Sequence, residues 1–302
     1  MEDIYRKLQQ LKKQKNAVIL AHYYVPDEVQ EAADFIGDSY YLAKKAKTAD
    51  ADIIVFCGVE FMGESAKILN PDKKVLMPDT SADCPMAHMV TEEKIKEIKA
   101  KYNDTAVVCY INSTAKLKAL SDVCVTSSNA VKIVEKLPNK NIFFIPDGNL
   151  GRYVKEQVKD KNIILNDGHC PIHNSLTVEV LAAEKKKHPS ARVLTHPECI
   201  KEVTELSDFI GSTSEIISYA EKSEDAEFII CTERGVGFEL RKRCPNKRFW
   251  FAGDDFICPD MKLNTLQKLC ECLENETGEV HASEELRLAA LAPLDRMLEL
   301  AE

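Results

Sequence analysis

The chain has 302 residues, 45% hydrophobic and 29% charged, with a formal net charge of −9. That balance gives a globular protein with a sizeable core and excludes a broad basic surface for nucleic acid. No run reaches the roughly 18 apolar residues of a membrane helix, the first residues lack secretory character, and eleven cysteines, an odd number, point to reduced thiols in a cytoplasmic protein rather than to a disulfide scaffold.

In chain order, residues 1–15 read as a helix, because Ile4, Leu8 and Leu11 recur at three- and four-residue steps. Three diverged copies of one unit follow, over 16–104, 105–190 and 191–276. Each opens on an apolar run: Ala17-Val18-Ile19-Leu20-Ala21-His22, then Ala106-Val107-Val108-Cys109-Tyr110, then Arg192-Val193-Leu194-Thr195-His196. Each then carries an aspartate before a second short apolar run: Asp34, Asp122 and Asp208. A third apolar run starts at Asp52, Asn141 and Glu227, and each copy closes on Cys-Pro, at Cys84, Cys170 and Cys258. The unit therefore reads strand, helix, short strand, helix, strand, helix, strand, Cys-Pro loop. Residues 277–302 form a closing helical segment, with Pro293 expected near a bend or boundary.

Strands alternating with helices predict an α/β fold of mostly parallel sheets covered on both faces. The expected architecture is three similar domains related by a pseudo-threefold axis. His22, Tyr110 and His196 lie at the ends of first strands, spaced by 88 and 86 residues, and the Cys-Pro cysteines are spaced by 86 and 88. Strand carboxyl ends are where such sheets gather function, so all six residues are expected around the common axis.

Two readings of the Cys-Pro pairs stand on sequence alone. They are structural turns with a packed thiol, or three thiolates that meet at one centre holding zinc, copper(I) or an iron–sulfur cluster. Three protein ligands would leave one position open for substrate, which favours catalysis over electron transfer. Cys57, Cys109, Cys124 and Cys231 sit in apolar runs and read as core. Cys199 lies near the pocket without ligating, and Cys244, Cys270 and Cys272 have no counterpart in the other copies. His169 and His173 flank Cys170 as pocket or structural residues.

Three turns rich in small residues and hydroxyls precede helices: Gly37-Asp38-Ser39, Thr126-Ser127-Ser128-Asn129 and Gly211-Ser212-Thr213-Ser214. Hydroxyls there cap the helix, and a helix start also offers N–H groups to an anion. The turn Asp147-Gly148-Asn149-Leu150-Gly151 is explained by turn chemistry. No GxGxxG or GxxxxGK[ST] sequence occurs, so no bound dinucleotide or ATP is expected.

Taken together, Ile19-Leu20-Ala21-His22-Tyr23-Tyr24, Phe35-Ile36-Gly37-Asp38-Ser39, Tyr110-Ile111-Asn112-Ser113, Gly168-His169-Cys170-Pro171, His196-Pro197-Glu198-Cys199 and Met261-Lys262-Leu263-Asn264-Thr265-Leu266 resemble the quinolinate synthase family over nearly the whole chain. The resemblance implies three α/β/α three-layer domains and one [4Fe–4S] cluster on Cys84, Cys170 and Cys258. It implies condensation of iminoaspartate with dihydroxyacetone phosphate to quinolinate in NAD biosynthesis. His22, Tyr24, Tyr110, His196 and Glu198 are the implied catalytic residues. Asn112, Ser39, Ser127, Asn129, Ser212 and Thr213 join His22, Tyr110, His196 and Glu198 in binding substrate. An aspartate oxidase or dehydrogenase is the implied transient partner. Tyr23 and Phe238 depart from the family pattern, standing where members carry asparagine and histidine. An iron–sulfur hydro-lyase is the alternative enzyme. An iron or redox sensor is the non-enzymatic alternative, although no basic DNA-reading helix is visible.

Overall fold

The structure is a computed structural model describing residues 2–253 and 255–302. The strands follow the apolar runs: β1 (Ala17–His22), β2 (Phe35–Gly37), β3 (Ile53–Cys57), β4 (Lys74–Leu76), β5 (Thr105–Tyr110), β6 (Val123–Val125), β7 (Asn141–Ile145), β8 (Asn162–Leu165), β9 (Arg192–Thr195), β10 (Phe209–Ile210), β11 (Glu227–Cys231) and β12 (Arg248–Phe251). They form three four-stranded parallel sheets, ordered β2-β1-β3-β4, β6-β5-β7-β8 and β10-β9-β11-β12. One strand order thus occurs three times, as the repeat requires. In each, the chain leaves the first strand toward one edge and returns on its other side. The switch point therefore lies between β1 and β3, β5 and β7, and β9 and β11.

All five residues of β3 are buried, as are four consecutive residues in each of β7 and β11. Neighbouring side chains on a strand point to opposite faces, so both faces of every sheet are covered. Each fully buried Ile, Val, Leu or Phe contributes about 1.5–3 kcal/mol. The repeated aspartate is a clip rather than a site residue. The Ile19 N–H donates to Asp34 Oδ2 at 2.8 Å and the Val193 N–H to Asp208 Oδ2 at 2.8 Å, which fixes the turn back to β2 and β10.

The described residues fall into two compact units: Met1–His88 with Ile111–Cys124 and Pro259–Glu302, and Met89–Tyr110 with Val125–Cys258. In the first, the N-terminal helix Glu2–Gln14 buries Leu8 and packs on the helix Leu266–Asn275. The closing helix spans Glu284–Ala301 and continues through Pro293, which is not its boundary. Proline removes one N–H from the ladder. Its helix survives because Ala290, Pro293, Leu294 and Met297 are buried where it packs on the helices Glu60–Leu69 and Ala115–Ala119. No helix among the described residues is long and apolar enough to cross a membrane.

Candidate functional site

The second unit concentrates its chemistry at the switch points. His196 follows β9 directly and is 3% exposed. Its Nδ1 accepts the Glu198 N–H at 3.4 Å, so in the neutral ring the proton sits on Nε2. Glu198 is equally buried, and His173 Nδ1 stands 2.7 Å from its Oε2. The same nitrogen lies 3.2 Å from Cys170 Sγ, and His173 Nε2 lies 3.0 Å from Thr232 Oγ1. Nδ1–H thus donates to the carboxylate, and the threonine hydroxyl donates to Nε2. The Tyr110 hydroxyl, at the end of β5, also donates to Glu198. Glu198 Oε1 is buried with no hydrogen-bond partner, an acceptor left for a ligand or a proton. The ligand atoms of Cys170, His173 and Glu198 lie within 4.8 Å of one another.

Burial lowers the His196 pKa to about 3, against the pull of Glu198, so the ring is neutral at physiological pH. Burial would raise Glu198, but His173, His196 and the hydrogen bonds from His173 and Tyr110 bring it down to about 2. With His196 neutral, the donors that keep Glu198 ionised near pH 7 are His173 and Tyr110. Asp147 is pushed up, first by burial and then by the Glu198 charge, against three backbone N–H groups that favour its anion.

These directions set the acid response. Both His196 and Glu198 have folded values below their ordinary 6.5 and 4.5, so the unfolded chain binds more protons and stability falls as the pH is lowered. The His196 contribution, complete above pH 6.5, is lost down to about 3, and that of Glu198 is lost between 4.5 and about 2. Asp147, raised, acts with the opposite sign. Thermal melts followed by circular dichroism are expected to shift downward from just below pH 6.5, and His196→Gln to flatten the part of that curve above 4.5.

The first unit repeats the motif. His22 ends β1, is buried, and accepts the Tyr24 N–H on Nδ1 at 3.2 Å, the same tautomer as His196. The Tyr24 ring meets it edge-on at 4.5 Å, and the Tyr24 carbonyl accepts from Lys262 Nζ at 2.5 Å. Asn112 keeps a buried Oδ1 without a hydrogen-bond partner. Tyr23 is buried, with its carbonyl accepting from Gln30, and Phe238 lies under the Lys242 ammonium. Both departures are thus occupied by packing.

The hydroxyl-rich turns differ in detail. Asp38, not Ser39, caps the helix Ser39–Thr48 by accepting from Tyr41, which leaves Ser39 half-buried at its first position. Asn129 Oδ1 accepts the Thr126 N–H at 2.7 Å while its Nδ2 is buried without a partner, and Ser127 is half-buried beside it. Ser212 is engaged in a capping box with Glu215, and Thr213 is the buried first residue of that helix.

Eight of the eleven cysteines are buried. The remaining three, all partly exposed, are Cys84, Cys170 and Cys258. Each precedes a single helical turn that starts with its proline: Pro85–His88, Pro171–Asn174 and Pro259–Lys262. A core thiol has no reason to be exposed at all three equivalent positions. A ligand does, and a helix start favours the thiolate. The donor set and the orphaned Glu198 oxygen therefore fit a thiolate-bound cofactor. Three residues escaped the sequence reading as site residues. His173 was left undecided, Asp147 was read as a turn former, and Glu233 was not singled out. The signal was present for the last two, since Asp147 and Glu233 are 86 residues apart, the spacing already seen in the repeat.

Residues 6–299 match the family model described as quinolinate synthetase A protein (NadA). The chain is 55% identical over 301 residues to a quinolinate synthase of Fusobacterium nucleatum, covering 100% of this chain and 99% of that protein. It is 51% identical over 301 residues to the quinolinate synthases of Clostridioides difficile and Caldicellulosiruptor saccharolyticus, with the same coverage.

Proposed function

The chain belongs to the quinolinate synthetase A family, and on that premise we propose that it condenses iminoaspartate with dihydroxyacetone phosphate to give quinolinate, phosphate and water in NAD biosynthesis. A [4Fe–4S] cluster, one per chain, is the cofactor, with Cys84, Cys170 and Cys258 as its ligands. When bound, such a cluster supplies an iron with an open position, a Lewis acid for loss of a hydroxyl group. The observation that carries this reading is that, of eleven cysteines, the three partly exposed ones are those at equivalent repeat positions.

The protein's own groups divide the remaining work. Glu198, ionised near pH 7 with one free buried oxygen, is the general base for the isomerisation and imine-forming steps. His173 and Tyr110 hold it in place and tune it. His22 and His196 present Nε2–H donors to substrate oxygen, and Tyr24 shares the proton transfers with them. Asn112 and Asn129 orient polar substrate groups. Ser39, Ser127, Ser212 and Thr213 bind carboxylate or phosphate at their helix starts. The unstable imine requires a nearby source, which an aspartate oxidase or dehydrogenase would provide, and an odd number of cysteines, eleven, suits the cytoplasm.

The test is oxygen-free purification, analysis of iron and acid-labile sulfide, and assay with both substrates. Iron with sulfide and a pyridine dicarboxylate product are expected. A hydro-lyase would make no pyridine. One zinc without sulfide would assign Cys170, His173 and Glu198 to a different centre.

A further inference from the structure

Each Cys-Pro loop is stapled to the loop that follows the third strand of its own copy, and the three staples are not equal. In all three copies the third residue beyond that strand donates its N–H to the carbonyl two residues before the cysteine. These bonds are Glu60 to Ala82 at 2.8 Å, Gly148 to Gly168 at 2.6 Å, and Arg234 to Phe256 at 3.0 Å. In the second copy this approach needs glycine. A Cβ on Gly168 would stand 2.6 Å from the Pro146 carbonyl oxygen, and one on Gly148 would collide with the Asn166 carbonyl.

Two copies add a second bond through a buried carboxylate one residue earlier. The Cys170 N–H donates to Asp147 Oδ2 at 3.1 Å, and the Cys258 N–H donates to Glu233 Oε1 at 3.1 Å. The other oxygen of each carboxylate caps the turn on which it sits. Asp147 Oδ1 accepts from Leu150 at 2.8 Å and Glu233 Oε2 accepts from Gly235 at 2.6 Å. Both residues are at most 1% exposed. The first copy has Val59 at this position and no such acceptor. The Cys84 N–H bonds instead to the neighbouring Asp83, whose side chain is 39% exposed.

We propose that Asp147 and Glu233 are positioning residues that hold the Cys170 and Cys258 backbones ready for the cofactor before it binds. The inference rests on the cluster reading above. A carboxylate with two acceptor oxygens links a rigid strand end to the ligand loop, the role that outer partners play at metal centres generally. An amide cannot do both jobs. In Asp147→Asn or Glu233→Gln the single oxygen should keep the shorter capping bond, and the amide NH2 would then face the cysteine N–H.

The test uses the full chain prepared without oxygen. Transfer of iron to a ferrous chelator is expected to run about tenfold faster or more in either variant than in the parent. After iron removal, alkylation by iodoacetamide, resolved by peptide mass spectrometry, is expected to rise at Cys170 alone in Asp147→Asn and at Cys258 alone in Glu233→Gln. A general loosening of the fold would raise all three together. That outcome, or iron transfer within twofold of the parent in both variants, overturns the proposal. If Asp147→Asn does not fold, Glu233→Gln decides, since it caps only a three-residue turn. A parent that carries no iron sinks the cluster reading, while the alkylation pattern still judges the tethers.

Discussion

Serine at Cys84, Cys170 or Cys258 is expected to remove most of the iron and sulfide from the chain and to lower turnover at least about a thousandfold, roughly 4 kcal/mol of barrier. A serine hydroxyl is a hard, protonated donor at neutral pH and replaces a thiolate poorly on iron. Each cysteine lies outside the core and starts a single helical turn, so the melting temperature of the iron-free chain should hardly change. Cys270→Ser is the contrast. Cys270 is buried on the helix Leu266–Asn275, so that variant should keep its iron while losing on the order of 1–3 kcal/mol of stability for an unpaired hydroxyl. Iron, sulfide and melting temperature, measured on all four variants, separate ligand from core. Full iron in any of the first three would remove that cysteine from the ligand set.

Glu198→Gln is the second large effect, with kcat expected to fall about 10²- to 10⁴-fold and iron content to stay at the parent level. The substitution keeps the shape and leaves the backbone bond from residue 198 to His196 Nδ1 untouched. It removes the anion that His173 and Tyr110 keep ionised, and with it the proposed general base. It also removes the negative charge that helps push Asp147 up. The variant should nevertheless melt below the parent at pH 7, because the stability carried by the Glu198 anion, whose folded value of about 2 lies below its ordinary 4.5, is lost with the charge. Loss in kcat without a matching rise in KM would mark a transition-state role. A kcat within a few-fold of the parent would reduce Glu198 to a structural acceptor. Tyr110→Phe, which deletes one of its donors, should cost less, about tenfold.

The element order, the three parallel sheets and the strand-end positions of His22, Tyr110 and His196 were legible because a repeat reports itself. Buried parallel strands need unbroken apolar runs, and a duplicated unit preserves their spacing even after the sequences diverge. The equivalence of Cys84, Cys170 and Cys258 was legible for the same reason. A local rule about proline allowed a helix boundary at Pro293, and the helix instead continues because Pro293, Leu294 and Met297 are buried.

The chain of residues, read alone, determined which positions are equivalent, because spacing is a one-dimensional property. What only the tertiary structure decided is what each position does. The repeated aspartates Asp34 and Asp208 are clips on a strand, whereas Asp147 and Glu233, written like turn residues, hold the cysteine loops. Whether His173 meets a carboxylate or solvent was equally open. A carboxylate's task depends on burial and on which donors lie within about 3 Å of it, and those distances exist only once distant segments have been folded together.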